Sequence, residues 1–204
     1  MAKGYELGKR VFDLAVAAVG LVLLGPAMAI CWLLIRATSP GPGLFVQQRA
    51  GQDGRVFGLM KFRTMRADHA HDPDPSIVIG DDHAAVTGVG RFLRRFKLDE
   101  LPNLFNVLAG DMSLVGPRPT VPEQIAEYDD FQRRRLEVRP GITGLAQVNG
   151  GTGLTWPERI EWDVYYVAHR SAWMDLKILA ATAAAVLTRP EKRLRRFADS
   201  GLEL

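Results

Sequence analysis

The sequence predicts a mainly α-helical, membrane-attached protein with one small β-hairpin. Three observations lead there. Residues 11–35, VFDLAVAAVGLVLLGPAMAICWLLI, are nearly all apolar and exceed the ~20 residues that a spanning helix needs. Residues 44–65 alternate apolar and polar side chains around Gly-Gln-Asp-Gly, the pattern of two strands joined by a turn near Gln52-Asp53-Gly54. Helical patterns then recur at about 86–97, 101–109, 122–137 and 172–187.

The chain has 204 residues, 47% of them hydrophobic, which suits one compact domain plus an appendage. The division falls at the turn-rich TSPGPG of residues 38–43, giving a membrane-embedded unit of 1–40 and a second unit of 41–204. The net charge is only +3, yet arginines gather at 91–95, 133–135 and 189–196. Such clusters point to anionic partners: phosphates, lipid headgroups or nucleic acid. The single cysteine, Cys31, excludes an intrachain disulfide and any multi-cysteine metal site. The four histidines show no metal-binding spacing, and His69 and His71 sit in a polar loop sequence.

The apolar run admits three readings. A signal peptide is one, since Ala27-Met28-Ala29 resembles a cleavage site, but the run continues through ICWLLI beyond it. Lys9 and Arg10 precede the run and Arg36 follows it, so charge places both ends on the same side. Gly25-Pro26 lies near the middle, where proline removes a helical hydrogen bond and crowds the preceding turn. Each half is then ~15 Å long, half the hydrocarbon thickness. These features favour a re-entrant helix-break-helix dipping into one leaflet; a kinked span is the competing reading.

After the hairpin, residues 66–85 are polar and read as a long loop or lid. The stretch VRPGITGLAQVNGGTGLT is loop-like by its glycines. Residues 172–187 are apolar, opened by Trp173 and followed by TRPEKRLRR. They fit either an amphipathic helix lying in the membrane interface or a soluble core helix.

The acids Asp99 and Glu100 stand ahead of Pro102 and the helical run Leu101, Leu104, Phe105, Leu108. Taken alone they fit helix capping. Their surroundings point instead to phosphate. Arg91, Arg94, Arg95 and Lys97 lead into the pair, Arg118 lies between two prolines, and Arg139 opens a glycine-rich turn. Guanidinium forks match phosphate oxygens, and carboxylates belong beside them if a divalent cation joins the site. A carboxylate can also be the nucleophile in phosphoryl transfer.

Five stretches in order, KRVFDLAVAAVGLVLLGP, KFRTM, LDELPNLFNVLAGDMSLVGPRP, RPGITGLAQVNG and DVYYV, resemble the bacterial sugar transferases. The closest likeness is to the small monotopic polyprenol-phosphate phosphoglycosyl transferases, and it runs from about residue 9 to 188. The resemblance implies transfer of a phospho-sugar from a UDP-sugar to undecaprenyl phosphate with release of UMP. This would be the first membrane step of a glycoconjugate pathway, at the cytoplasmic face of a bacterial inner membrane. It implies Asp99 as nucleophile, through a covalent aspartyl phospho-sugar, and Glu100 as its partner. Mg²⁺ would lie at Asp99 and Glu100. Arg94, Arg118 and Arg139 would bind or organise the phosphate region with Lys61 and Arg63 nearby, Gln147 and Asn149 would bind substrate, Asp163 would help shape the nucleotide end, and Gly25-Pro26 would make the helix break. Implied partners are the UDP-sugar, undecaprenyl phosphate, an anionic bilayer and downstream glycosyltransferases, with no nucleic acid. Two departures stand out: Gly25 where many relatives have serine, and Gly151 where they commonly carry arginine. A nucleotide-sugar hydrolase and a non-catalytic lipid-binding scaffold are the rival functions.

Overall fold

The computed structural model describes residues 2–66, 83–188 and 195–204. Most of the polar stretch expected as a loop or lid, and the basic stretch 189–194, lie outside the described residues.

Helix α1 (Ala2–Thr38) is a single helix of 37 residues, ~55 Å long at 1.5 Å per residue. Where the sequence predicts helix, break, helix, the helix runs on through Gly25 and Pro26. The reason is packing on both sides of the proline. Ala17 and Leu21 before it, and Met28, Cys31 and Ile35 after it, press on the same folded unit. The missing proline N–H therefore removes one hydrogen bond from a helix held along its length. The opposite face is bare and apolar, carrying Leu7, Val11, Val19, Val22, Leu23, Ile30 and Leu33, with Val22 77% exposed. A helix apolar all round with one face uncovered is suited to lipid.

Strands β1 (Leu44–Ala50) and β2 (Val56–Phe62) form the expected antiparallel hairpin, with Leu44 opposite Phe62 and Ala50 opposite Val56. Its turn, Gln52–Gly54, puts Asp53 and Gly54 at φ 55° and 76°, a left-handed conformation that Asp tolerates and Gly adopts freely. Helix α2 (Gly88–Arg95) is N-capped by Thr87, whose Oγ1 accepts from the Gly90 amide at 2.9 Å. Gly90 is obligatory there, because a Cβ would stand 2.0 Å from the Thr64 carbonyl oxygen. Helix α3 (Asn103–Ala109) stops at Gly110, φ 95°.

The remaining elements are short. Strand β3 (Ser113–Val115) pairs in parallel with β4 (Gly141–Thr143), and a Cβ on Gly141 would sit 2.1 Å from the Gly116 nitrogen. The charged segment expected as one helix over 122–137 is three pieces: α4 (Pro122–Ile125), α5 (Asp130–Arg133) and a 3-10 turn at Arg134–Glu137. Asp129 causes the restart, since it is extended and caps α5 in a reciprocal box with Gln132. Within the glycine-rich stretch expected as loop, α6 (Leu145–Val148) follows β4. Helix α7 (Trp156–His169) opens on a Thr155/Glu158 capping box, and α8 (Ala172–Thr188) closes the fold.

The core joins Phe57 and Leu59 of β2, Val107 of α3, Val115 of β3, Tyr166 and Val167 of α7, Ile178 of α8 and Ala17 of α1. Both ends of α1 are tied to this body by polar bonds. Near its start, Tyr5 Oη and Lys9 Nζ donate to Asp175 Oδ2 at 2.9 and 2.8 Å, and Arg10 donates to the Val107 carbonyl at 2.8 Å. Asp13, buried, accepts from Ser113 Oγ at 2.7 Å and from the Leu114 amide at 3.2 Å. Just past its end, Arg63 donates to the carbonyls of Ser39 and Pro40.

Candidate active site

The acid pair occupies a single 3-10 turn, Leu98–Glu100, between α2 and α3. Lys97 makes the corner in a left-handed conformation, φ 58°, which is uncommon for a residue with a side chain and recurs at functional sites. Asn106 brings the hairpin to this turn. Its Oδ1 accepts from the Met60 amide at 3.0 Å and its Nδ2 donates to the Gly58 carbonyl at 2.8 Å. The edge of β2 is thereby fastened to α3, and Lys61, next in line, reaches the acids.

Glu100 Oε1 accepts from Lys61 Nζ at 2.9 Å and from Arg118 Nη2 at 2.7 Å, while only 16% of its side chain is exposed. Burial pushes the Glu100 carboxyl up, but Arg118 and Lys61 together outweigh it and hold the group well below the usual carboxylate range. Asp99 is displaced the other way. Burial and the neighbouring Glu100 push its carboxyl up, against Lys61, Lys97 and Arg94. Its Oδ1 is buried without a hydrogen-bond partner. Adjacent acids pushed in opposite directions are the arrangement expected of a divided acid/base or nucleophile role.

Arg118 stands on the turn between β3 and α4, flanked by Pro117 and Pro119. Arg94 is on the last turn of α2, its Nε bonded to Thr64 Oγ1 at 2.9 Å. Asp99, Glu100, Lys61, Arg94 and Arg118 therefore lie together around one turn.

The other expected site residues are placed elsewhere. Arg63 is buried and spends its guanidinium on Ser39 and Pro40 at the end of α1. Arg139 donates to the Gly110 carbonyl at 3.0 Å, beside Arg10 on the carbonyls of Val107 and Leu108. Both cations thus serve the C-terminal end of α3, whereas the acids precede its N-terminal end. Gln147 and Asn149 bond the carbonyls of Ile142 and Leu145 within their own segment. Asp163, 1% exposed, faces Arg135 Nη2 at 2.6 Å inside the core. In each case a carbonyl row or a buried charge claims the side chain first, a competition that a linear motif does not display. Gly151 has φ 55° and open space beyond its Cα.

Among the described residues, no cluster of three or more His, Cys, Asp or Glu side chains could hold a metal. A Mg²⁺ site needs fewer, because one or two carboxylates plus substrate phosphates suffice. The orphaned Asp99 Oδ1 fits that requirement. Glu100, expected as a second ligand, has its Oε1 occupied by two cations. One helical turn on, Asn103 is 2% exposed and its Oδ1 is also unpartnered. The sequence reading missed Asn103, Asn106 and Arg135. The signal for the two asparagines was a polar residue on an otherwise apolar helix, and Arg135 was hidden in a run of three arginines.

Comparison with known proteins identifies the family. The family model described as bacterial sugar transferase matches residues 4–189. The chain is 41% identical over 179 residues to the uncharacterized sugar transferase EpsL of Bacillus subtilis, covering 88% of this chain and 87% of that protein. It is 42% identical over 198 residues to the UDP-glucose:undecaprenyl-phosphate glucose-1-phosphate transferase of Caulobacter vibrioides, covering 90% and 71%. It is 38% identical over 195 residues to the undecaprenyl-phosphate galactose phosphotransferase of Salmonella typhimurium, covering 89% of this chain and 40% of that longer protein. The chain belongs to the bacterial sugar transferase family.

Proposed function

We propose that this protein transfers a phospho-sugar from a UDP-sugar to undecaprenyl phosphate and releases UMP, through a covalent intermediate on Asp99. The observation that carries this reading is the contrast within the acid pair. Glu100 is fastened by Lys61 and Arg118, while Asp99 keeps an oxygen without a partner. In the first step Asp99 attacks the phosphorus that bears the sugar. A carboxylate O–P bond forms, the bond to the bridging oxygen breaks, and UMP leaves with that electron pair. In the second step an oxygen of the lipid phosphate attacks the same phosphorus and Asp99 is released. Arg94, Arg118, Lys61 and Lys97 offset the charge of donor and acceptor. Mg²⁺ would be held by Asp99 Oδ1, with Asn103 Oδ1 the other unpartnered oxygen nearby in sequence. When bound, it supplies positive charge against the donor diphosphate. The named sugars of the relatives include glucose, galactose and N-acetylgalactosamine, so the donor sugar is the variable to be screened.

We read α1 as monotopic and re-entrant, entering one leaflet by a bend at Pro26 within the continuous helical run, with both ends at the cytoplasmic face of the inner membrane. The polar ties of Tyr5, Lys9 and Arg10 at one end, and of Ser39 and Pro40 at the other, engage one folded unit, which supports a same-side placement. Exposed apolar residues on α2, α3 and α8, including Phe92, Phe105 and Trp173, support further contact with lipid. The lipid-linked product would pass to downstream glycosyltransferases.

A UMP-release assay with a panel of UDP-sugars tests the reaction. Full turnover that requires undecaprenyl phosphate is expected, whereas release of free sugar phosphate without lipid would indicate a hydrolase, and no release a scaffold. For topology, cysteines placed near residues 5 and 40 are expected to label from the same face. Labelling from opposite faces would restore a simple span.

A further inference from the structure

We propose that Arg135 is a positioning residue for this reaction: by holding the main-chain carbonyl of Arg118, it sets the reach of the Arg118 side chain to Glu100. The proposal rests on the functional reading above. It begins from the chemistry of the Pro117-Arg118-Pro119 turn. Two of its three residues have no N–H, so the turn is anchored mainly through its acceptors. The Pro117 carbonyl accepts from the Gly141 amide at 2.9 Å, and the Thr120 carbonyl, next along, accepts from the Ala50 amide at 2.8 Å. Of the two carbonyls between them, that of Arg118 is held by a side chain instead, Arg135 Nη2 at 3.0 Å.

That side chain is itself fixed from several directions. Arg135 is 4% exposed. Its Nη1 donates to Tyr128 Oη at 2.8 Å and its Nη2 also donates to Asp163 Oδ2 at 2.6 Å. Trp156 lies against the guanidinium, 5.0 Å from ring centroid to Cζ. Burial pulls the guanidinium's pKa down, but Asp163 and Tyr128 more than offset it, so the group keeps its charge. A buried ion pair is a costly way to fill a core, and apolar pairs of similar volume often stabilise as well or better. What an apolar pair cannot do is donate to the Arg118 carbonyl. Asp163 on α7 is thereby linked through Arg135 to Arg118, and through Arg118 to Glu100, although it is itself enclosed.

The test uses the full chain in detergent or nanodiscs and two variants. Arg135→Lys keeps a positive charge beside Asp163 but lacks the fork that serves three acceptors at once. The double variant Arg135→Met with Asp163→Leu removes the charges together, so that folding survives. Two quantities are read: turnover, and the ordering of the Arg118 side chain from Nε–Hε relaxation in ¹⁵N-arginine protein, assigned with Arg118→Lys. In the wild type Arg118 is held at both ends, its carbonyl by Arg135 and its Nη2 by Glu100. Without the Arg135 bond the Arg118 order parameter should fall. In both variants kcat should fall roughly 10- to 100-fold, with KM for the UDP-sugar within about threefold and the thermal midpoint of the double variant near that of the wild type. An unchanged Arg118 order parameter in the folded double variant overturns the proposal, whatever the turnover. A loosened Arg118 in a protein whose wild type releases no UMP upholds the positioning role and overturns the functional reading instead.

Discussion

Asp175 and Glu100 are both enclosed carboxylates with a lysine at hydrogen-bonding distance, 2.8 and 2.9 Å away. Around Asp175 every oxygen is served: Oδ1 accepts from Tyr166 Oη at 2.7 Å, and Oδ2 from Tyr5 and Lys9. One charge meets one charge, and the remaining partners are neutral hydroxyls. Around Glu100 the balance differs. Lys61 and Arg118 both bond to it, Arg94 and Lys97 stand nearby, and the adjoining Asp99 retains a buried oxygen without a donor. The first cluster is a clasp that fastens α1 to α8, complete in itself. The second is left open and rich in positive charge, which is the condition for receiving a phosphate.

The widest gap between the two clusters should be opened by Asp99→Asn. It removes the proposed nucleophile while keeping its shape, so turnover should fall by roughly 10³-fold or more. A wild-type adduct of sugar-phosphate mass, seen by intact-protein mass spectrometry after incubation with a UDP-sugar, should vanish. The thermal midpoint should hold or rise, because a buried carboxylate with an unpartnered oxygen is replaced by a neutral group. An adduct that survives in Asp99→Asn would remove Asp99 from the chemistry.

Asp175→Ala should show the reverse pattern. It strands Lys9 and the Tyr5 hydroxyl at a buried junction, Tyr166 keeping the Val115 carbonyl at 3.3 Å, and should cost about 3–5 kcal/mol of stability, read by denaturant or thermal unfolding in detergent. The protein that stays folded should turn over within about threefold of the wild type. A large loss of kcat with unchanged stability would make the clasp part of the site.

The smallest effect expected is a pH-dependent response to Mg²⁺. The Asp99 carboxyl is raised in the folded protein, so it costs stability when ionised and that cost is relieved as pH falls through its folded pKa. A divalent cation favours the ionised form and must compete with the proton. Mg²⁺ should therefore raise the thermal midpoint by a few degrees at pH 7.5 and by less at pH 5.5, and the difference should disappear in Asp99→Asn. An equal Mg²⁺ effect at both pH values in both proteins would place the ion elsewhere.

The sequence by itself determined the long apolar helix, the hairpin and the adjacency of Asp99 and Glu100. An apolar run this long exceeds any strand, and Gln-Asp-Gly between alternating segments marks a hairpin, because both signals are local. The stretch around Asp99 and Glu100 also carried two of the surrounding cations, Arg94 and Arg118, since the chain keeps them within twenty residues, whereas Lys61 comes from the hairpin. Tertiary structure decided the rest. Pro26 could have broken α1, but packing of Ala17, Leu21, Met28 and Ile35 on one body holds the helix through it. Arg63 and Arg139 read as phosphate ligands until the fold set them against the carbonyls of Ser39 and Gly110. The parallel β3–β4 pair is three residues on each side, too short to leave a period, and it forms only where Gly116 and Gly141 let two distant backbones touch. Arg135 is one arginine in a run of three until burial beside Asp163 and the Arg118 carbonyl gives it a task. A free charge or donor has no assigned partner in a sequence; the fold assigns one, because a buried polar group without a partner is costly and the nearest acceptor claims it.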